Sequence, residues 1–359
     1  MPEINSGDTA WVLAASALVL FMTPGLAFFY AGFVRSKNVL GTIMQSFIVM
    51  GLVSVLWVVV GYSLAFGPDA GGGLIGDLSW FGLKDVGTAP STVYAVTIPH
   101  EAFMIFQAMF AIITPALITG AFAERAKFST FLIFMAAWSL LVYAPVAHWV
   151  FSAEGWLSAF DAFPAEAGKA ASDSGINALD FAGGTAIHVN AGAAALAAAI
   201  FYGKRKGYGT EPMEPHNVPF IVLGAGILWF GWFGFNAGSA GAASGVAANA
   251  FVVTNTAAAA AALSWMFASW ALTGKGSVIG AAAGAVAGLV AITPASGFVQ
   301  PMEAIVIGGV AGALCYLAIR LRAKSGLDDS LDVVGVHGVG GMWGGIATGI
   351  FATAAIGAG

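Results

Sequence analysis

Charge is what this 359-residue chain has least of: Lys, Arg, Asp and Glu make up 9% of it, where a soluble domain carries about 25%. With 59% apolar residues and a mean hydropathy of +0.87, too few charged side chains remain to cover a water-exposed globule. The composition is that of an integral membrane protein. Basic residues are scarcest, and a net charge of -5 offers no positive field for phosphates, which excludes nucleic-acid binding. Cys315 is the single cysteine, so disulfides within the chain, CxxC redox motifs and Cys-based zinc sites are excluded. Alternating segments of about ten residues are lacking too, which excludes a transmembrane β-barrel. Met1 to Thr9 has no basic stretch, and the apolar run behind it is long enough to span, so no removable signal peptide is expected.

Long apolar runs are abundant. Stretches free of Asp, Glu, Lys and Arg cover 9–34, 38–68, 102–123, 128–153, 181–203, 215–274, 276–302, 304–319 and 333–359. A transmembrane helix needs about 20 residues. The longest stretch therefore holds two helices, breaking around Gly238 to Asn249, and the total is ten. The short run after Glu303 spans as Pro301 to Leu321 if Arg320 and Arg322 snorkel to the interface. The expectation is one all-α polytopic transmembrane domain over residues 1–359.

Alternate connections carry nearly all the positive charge: Arg35 and Lys37, Arg125 and Lys127, Lys204 to Lys206, Lys275, and Arg320 to Lys324, against only Lys84 and Lys169 on the other side. The positive-inside rule then puts the N-terminus outside and the basic loops in the cytoplasm of a plasma-membrane protein. The long acidic loops at Gly67 to Pro99 and Ser152 to Gly183 read as a solvated outer face.

The polar residues repeat. Span five contains Gly183-Gly184-Thr185-Ala186-Ile187-His188, and span ten contains Gly335-Val336-His337-Gly338, with Asp180 and Asp332 shortly before them. Spans five apart cross in opposite directions, which suggests an inverted repeat of five plus five helices, 9–203 and 215–359, around a central pore. The 49 glycines otherwise signal close helix packing. An ionisable group inside a span is a functional candidate because its burial is costly, and two in equivalent positions favour function over packing. Haem ligation does not fit, since membrane cytochromes of that type carry two His ligands on one helix. Metal transport does not fit either, because no carboxylate or thiolate lies at depth beside the histidines. No cofactor, no metal and no enzymatic chemistry is expected, only a narrow pore for something small that can exchange a proton. His100, His148 and His216 fall at span ends or in loops and are expected to be wet and without a role.

These residues are similar to the Amt/Mep/Rh ammonium transporters, in the Amt branch. The resemblance is carried by Thr23 to Tyr30; Phe106-Gln107-Ala108-Met109-Phe110 and Gly120 to Arg125; Ala147-His148-Trp149-Val150; Asp180 to Thr185 leading to His188; Gly231 to Ser239; and Asp332 to Gly338. It implies a homotrimer with one pore per subunit, in which Phe106, Phe151 and Ser239 bind ammonium in an outer vestibule. Phe110 and Phe235 would stack as a gate, His188 and His337 would line the pore, and Asp180 would organise the vestibule from a buried position. Taken alone, a Phe at helical spacing is more often core than gate, and only the resemblance reverses that. It also implies passage of ammonia after deprotonation of ammonium, with or without separate proton transfer. Two departures stand out. Phe151 occupies a position where the family has Trp. The family's eleventh helix and cytoplasmic tail, the docking site of a PII-type regulator, lie beyond Gly359, so the chain is a fragment or has lost its end. The alternative function is an ammonium-sensing receptor domain of a larger signalling protein.

Overall fold

The computed structural model describes residues 3–159 and 177–357. The middle of the second acidic loop, with Lys169, lies outside the described residues. Each predicted apolar stretch is helical: α1 (Ser6–Phe33), α2 (Ser36–Phe66), α3 (His100–Phe122), α4 (Phe128–Phe151), α5 (Gly184–Tyr202), α6 (Val218–Gly238), α7 (Gly245–Thr273) and α9 (Pro301–Ser325) are long and apolar enough to cross a membrane. The shorter α8 (Val278–Ile292) and α10, a π-helical turn Val334–Gly338 continuing as Val339–Phe351, complete the ten. The 60-residue stretch breaks between Gly238 and Gly245, where Ser244 caps α7 through Ala247 N–H.

The helices form one bundle in which α1 packs along α6 and α7 packs against α8 and α9. Helix α3 is the most enclosed, with 83% of its central window buried, while α2, α4, α7 and α9 leave large apolar side chains such as Leu40, Ile133, Phe267 and Leu321 exposed. Water could not wet such a surface without a large penalty; hydrocarbon can.

One end of the bundle is held by ions. Arg35 pairs with Glu124 at 2.8 Å and Arg205 with Asp328 at 2.9 Å, while the Arg125 guanidinium caps the carbonyls of Ala121 and Gly203. Burial pushes the Glu124 carboxyl up, but the Arg35 hydrogen bond and charge outweigh it and hold Glu124 below the usual carboxylate range. Arg322 does not snorkel away. It turns inward to pair with Asp332 and reaches the Leu327 carbonyl.

At the other end, the loop after α2 holds a two-stranded hairpin, β1 (Pro90–Ser91) and β2 (Ala95–Pro99). The two histidines expected there to be wet are buried. His100 is 6% exposed and 2.6 Å from the Tyr62 hydroxyl. His148 is fully enclosed, with Nδ1 3.0 Å from the Ala65 carbonyl and Nε2 3.4 Å from Asp69. The loop folds back over both of them, a tertiary contact that local sequence cannot show.

Candidate functional site

The start of α5 is built on one carboxylate. Buried Asp180 accepts backbone N–H groups on both oxygens, Gly183 (2.9 Å) and Gly184 (2.6 Å) on Oδ1, Thr185 (2.8 Å) and Ala186 (3.1 Å) on Oδ2. These are the N–H groups a helix leaves unpaired at its first turn, and an anion there also meets the positive end of the helix dipole. Gly183 makes the turn possible at φ 108°, where a Cβ would strike Ile187. The chain then enters a π-helical turn, Gly184–Val189, which carries His188. Such turns are rare and collect at functional sites.

Helix α10 repeats the device with a different acid from the one the motif suggested. Asp332 sits at φ 60° and is taken up by Arg322. The acid equivalent to Asp180 is Asp329, which accepts from Val334 N–H at 2.7 Å and opens the π-helical turn Val334–Gly338 holding His337. It lies eight residues before its histidine, as Asp180 does. That shared spacing was the signal available in the sequence.

The two turns bring the histidines together. Nδ1 of His188 and Nδ1 of His337 are 3.2 Å apart, with ring centroids 5.3 Å apart and 22° between planes. The approach needs glycine: a Cβ on Gly192 would lie 2.3 Å from Cα of Gly338. Trp232 stacks on His188 at 5.3 Å and is fixed by its Nε1–H donated to Thr293. Nothing in the sequence distinguished this Trp from a packing residue.

Three cavities lie in line with this pair. The first, about 150 Å³, is lined by Phe106, Phe110, Phe151, Asp180 and Ser239, among others. Trp149 is not among its walls; its Nε1–H is donated to the Leu74 carbonyl at 2.7 Å. Phe110 and Phe235 close the floor, centroids 4.6 Å apart and tilted by 60° rather than stacked in parallel, with Phe106 edge-on to Phe110 at 4.9 Å. Below them a space of only about 10 Å³ runs between Leu26, Ile113, Leu117 and Leu228 past His188 and His337. The third cavity, about 200 Å³, opens beyond His337 between Tyr30, Trp265, Tyr316 and Asp332. All eight residues singled out in the sequence thus fall on this line. The α5 start opens into the first cavity and the α10 start into the third, so the two helices run in opposite directions.

Two ring nitrogens facing each other at 3.2 Å need one proton between them, donated by one Nδ1 and accepted by the other. With both rings neutral, one Nε2 is then a bare acceptor and the other a donor, and these roles exchange only when the shared proton crosses, the bare Nε2 gains a proton and the other Nε2 loses one. His188 Nε2 has no partner among the described residues. Among those residues no group of three His, Cys, Asp or Glu could hold a metal ion.

Ten helices around a line of cavities, narrowed by an aromatic pair and lined midway by two imidazoles, define a polytopic membrane protein of the channel and transporter class. The family model of the Ammonium Transporter Family matches residues 10–358. The chain is 50% identical to an ammonium transporter of Bacillus subtilis over 98% of its own length and 82% of the relative's. The crystal structure of Candida albicans Mep2 superposes with a TM-score of 0.88 at 38% identity, over 99% of this chain and 75% of that one. A structure described as a sensor Amt protein follows at 0.84 and 30%, over 98% and 84%. This chain belongs to the ammonium transporter family.

Proposed function

We propose that the protein carries ammonium to the membrane's far side as ammonia, recruiting the cation in the first cavity, deprotonating it at the Phe110–Phe235 constriction and passing the neutral molecule along the histidines. The observation that carries this reading is the continuous line from the aromatic vestibule, through the Phe pair, to the Nδ1–Nδ1 contact.

The physical case rests on what each section costs an ion. Ring faces in the vestibule attract a cation by roughly 0.5 to 1 kcal/mol each in wet surroundings, and Ser239 adds an acceptor. The narrow space below has apolar walls and room for about one water-sized molecule, where a charge costs about 3 kcal/mol or far more. Ammonium matches potassium in size and charge, so a cavity shaped to the bare ion would pass both. Ammonium can leave its proton behind, on vestibule water or on a bare imidazole nitrogen of the histidine pair, and potassium cannot. The imidazoles then offer the passing ammonia an acceptor and a donor in place of water. Their titration is that of a coupled pair.

The first cavity faces outside in this reading, with the N-terminus, and the ionic end faces the cytoplasm of a plasma-membrane protein. The opposed α5 and α10, each opened by an acid eight residues ahead of its histidine, support an inverted repeat of 9–203 and 215–359. The exposed apolar faces fit lipid and neighbouring subunits of a homotrimer. A PII-type regulator belongs to this reading only where a cytoplasmic tail follows.

The likeness to the sensor Amt protein supports a second reading, an ammonium receptor domain; the higher identity to transporters favours transport. Purified protein in liposomes decides between them. Transport predicts an ammonium-driven internal pH change or current that potassium does not produce. Ammonium binding with no flux would overturn transport in favour of sensing.

A further inference from the structure

The wall of the vestibule holds one polar side chain to which neither the family pattern nor the histidine motif assigns a role. On α3 the positions facing the pore recur as Phe103, Phe106, Phe110, Ile113 and Leu117, a stripe at helical spacing. Gln107 interrupts it, one turn below Phe103 and three residues before Phe110. Its side chain lines the first cavity and is half-buried.

Every other polar side chain of that cavity is spoken for. Both oxygens of Asp180 accept two backbone N–H groups each. The Ser239 hydroxyl donates to the Phe235 carbonyl at 2.8 Å, which leaves its lone pairs free but its proton committed. The Tyr94 hydroxyl is held by the Phe66 carbonyl at 3.0 Å and by Ser152 at 3.1 Å. Gln107 alone forms no hydrogen bond to any described residue. An amide in an apolar wall is costly to keep unless something in the cavity completes its hydrogen bonds.

Resting on the transport reading, we propose that Gln107 is a cation ligand of the vestibule, its carbonyl oxygen accepting an N–H of ammonium while Ser239 accepts another. The rings attract any small cation over their faces. Only acceptors at fixed positions read the N–H directions, so the Gln107–Ser239 pair adds to the ring attraction a fixed seat for ammonium. A glutamine suits this role better than a carboxylate, because it orients the cation without binding it too tightly to leave.

The test compares Gln107→Leu, Gln107→Met and Gln107→Glu in the complete chain, reading ammonium binding by thermal shift in detergent and flux in liposomes. The two apolar variants should raise the half-maximal ammonium concentration by roughly tenfold, the ratio that about 1.4 kcal/mol represents. Their maximal flux should stay within about twofold. Gln107→Glu, which keeps an acceptor, should restore or tighten binding. Unchanged half-maximal concentrations in a folded Gln107→Met would overturn the assignment and leave Gln107 merely hydrated, as would failure of Gln107→Glu to bind where Gln107→Leu still does. The thermal shift reads binding without transport, so an absence of flux in the unmodified protein would sink the transport reading while leaving this one decided by binding.

Discussion

At the first cavity Asp180 accepts four backbone N–H groups on its two oxygens. At the start of α10 Asp329, at the same distance from its histidine, accepts from Val334 on Oδ2, and its Oδ1 has no partner among the described residues. The surroundings differ as well. Asp180 borders a cavity walled by Phe side chains, whereas Asp329 lies fully buried among Asp332, Arg322 and Tyr30. Burial pushes the Asp180 carboxyl up, and the four N–H groups of the helix it starts oppose that rise. The Asp329 carboxyl is pushed up to about 7, first by burial and then by the neighbouring Asp332 charge. A local fold can be duplicated in a chain while its electrostatics is set afresh by whatever packs around each copy.

The largest effect expected from breaking this comparison lies where the two copies meet. His188→Ala or His337→Ala removes one half of a shared proton site and should abolish selective ammonium transport or let potassium through, with subunit assembly intact. Liposome flux of both cations checks this; unchanged flux and selectivity in both variants would remove the pair from the mechanism. Next comes Asp180. Asp180→Ala leaves four N–H groups without their acceptor at a buried helix start, at about 1 to 3 kcal/mol each. It should collapse the vestibule or prevent folding, visible as a large fall in thermal midpoint and loss of transport.

Asp329 should respond to pH. Because folding raises the Asp329 carboxyl above its unfolded value, the folded protein binds the extra proton between about pH 4 and 7, and stability falls as pH rises through that window. Asp329→Asn should flatten this slope in thermal unfolding from pH 5 to 7 while keeping the bond to Val334 N–H, and so should be better tolerated than Asp180→Ala. A slope unaltered by the substitution would show that other groups cause it.

The smallest expected effect concerns the vestibule wall. Phe151→Trp supplies a stronger ring face and should lower the half-maximal ammonium concentration by about two- to fivefold, the equivalent of ~0.5 to 1 kcal/mol. Trp149→Phe should leave that concentration unchanged, since its indole is engaged with Leu74 outside the cavity. A response to the second substitution alone would make Trp149 the recruiting ring.

The ten helices were legible because membrane spanning is set by length and apolarity, which are properties of contiguous sequence. That the Phe, Ser and His positions lie along the line of cavities was expected from the family resemblance, and for the two histidines also from their repeat. Other features depended on partners far away in the chain. Asp332 rather than Asp329 looked like the second anchor because it stands nearer His337, and only the Arg322 side chain arriving from α9 shows it to be occupied. His148 looked wet at a helix end until the loop after α2 folded over it. Gln107 looked like any polar residue in a motif until three other helices and a loop closed a cavity around it. Sequence by itself determined the spans, their alternation of charge and the repeated Gly-rich turns, since each follows from local composition and period. Which polar groups ended up paired, and which were left facing the pore, was decided by the tertiary structure, because a hydrogen bond is satisfied by whatever donor or acceptor packing brings within about 3 Å.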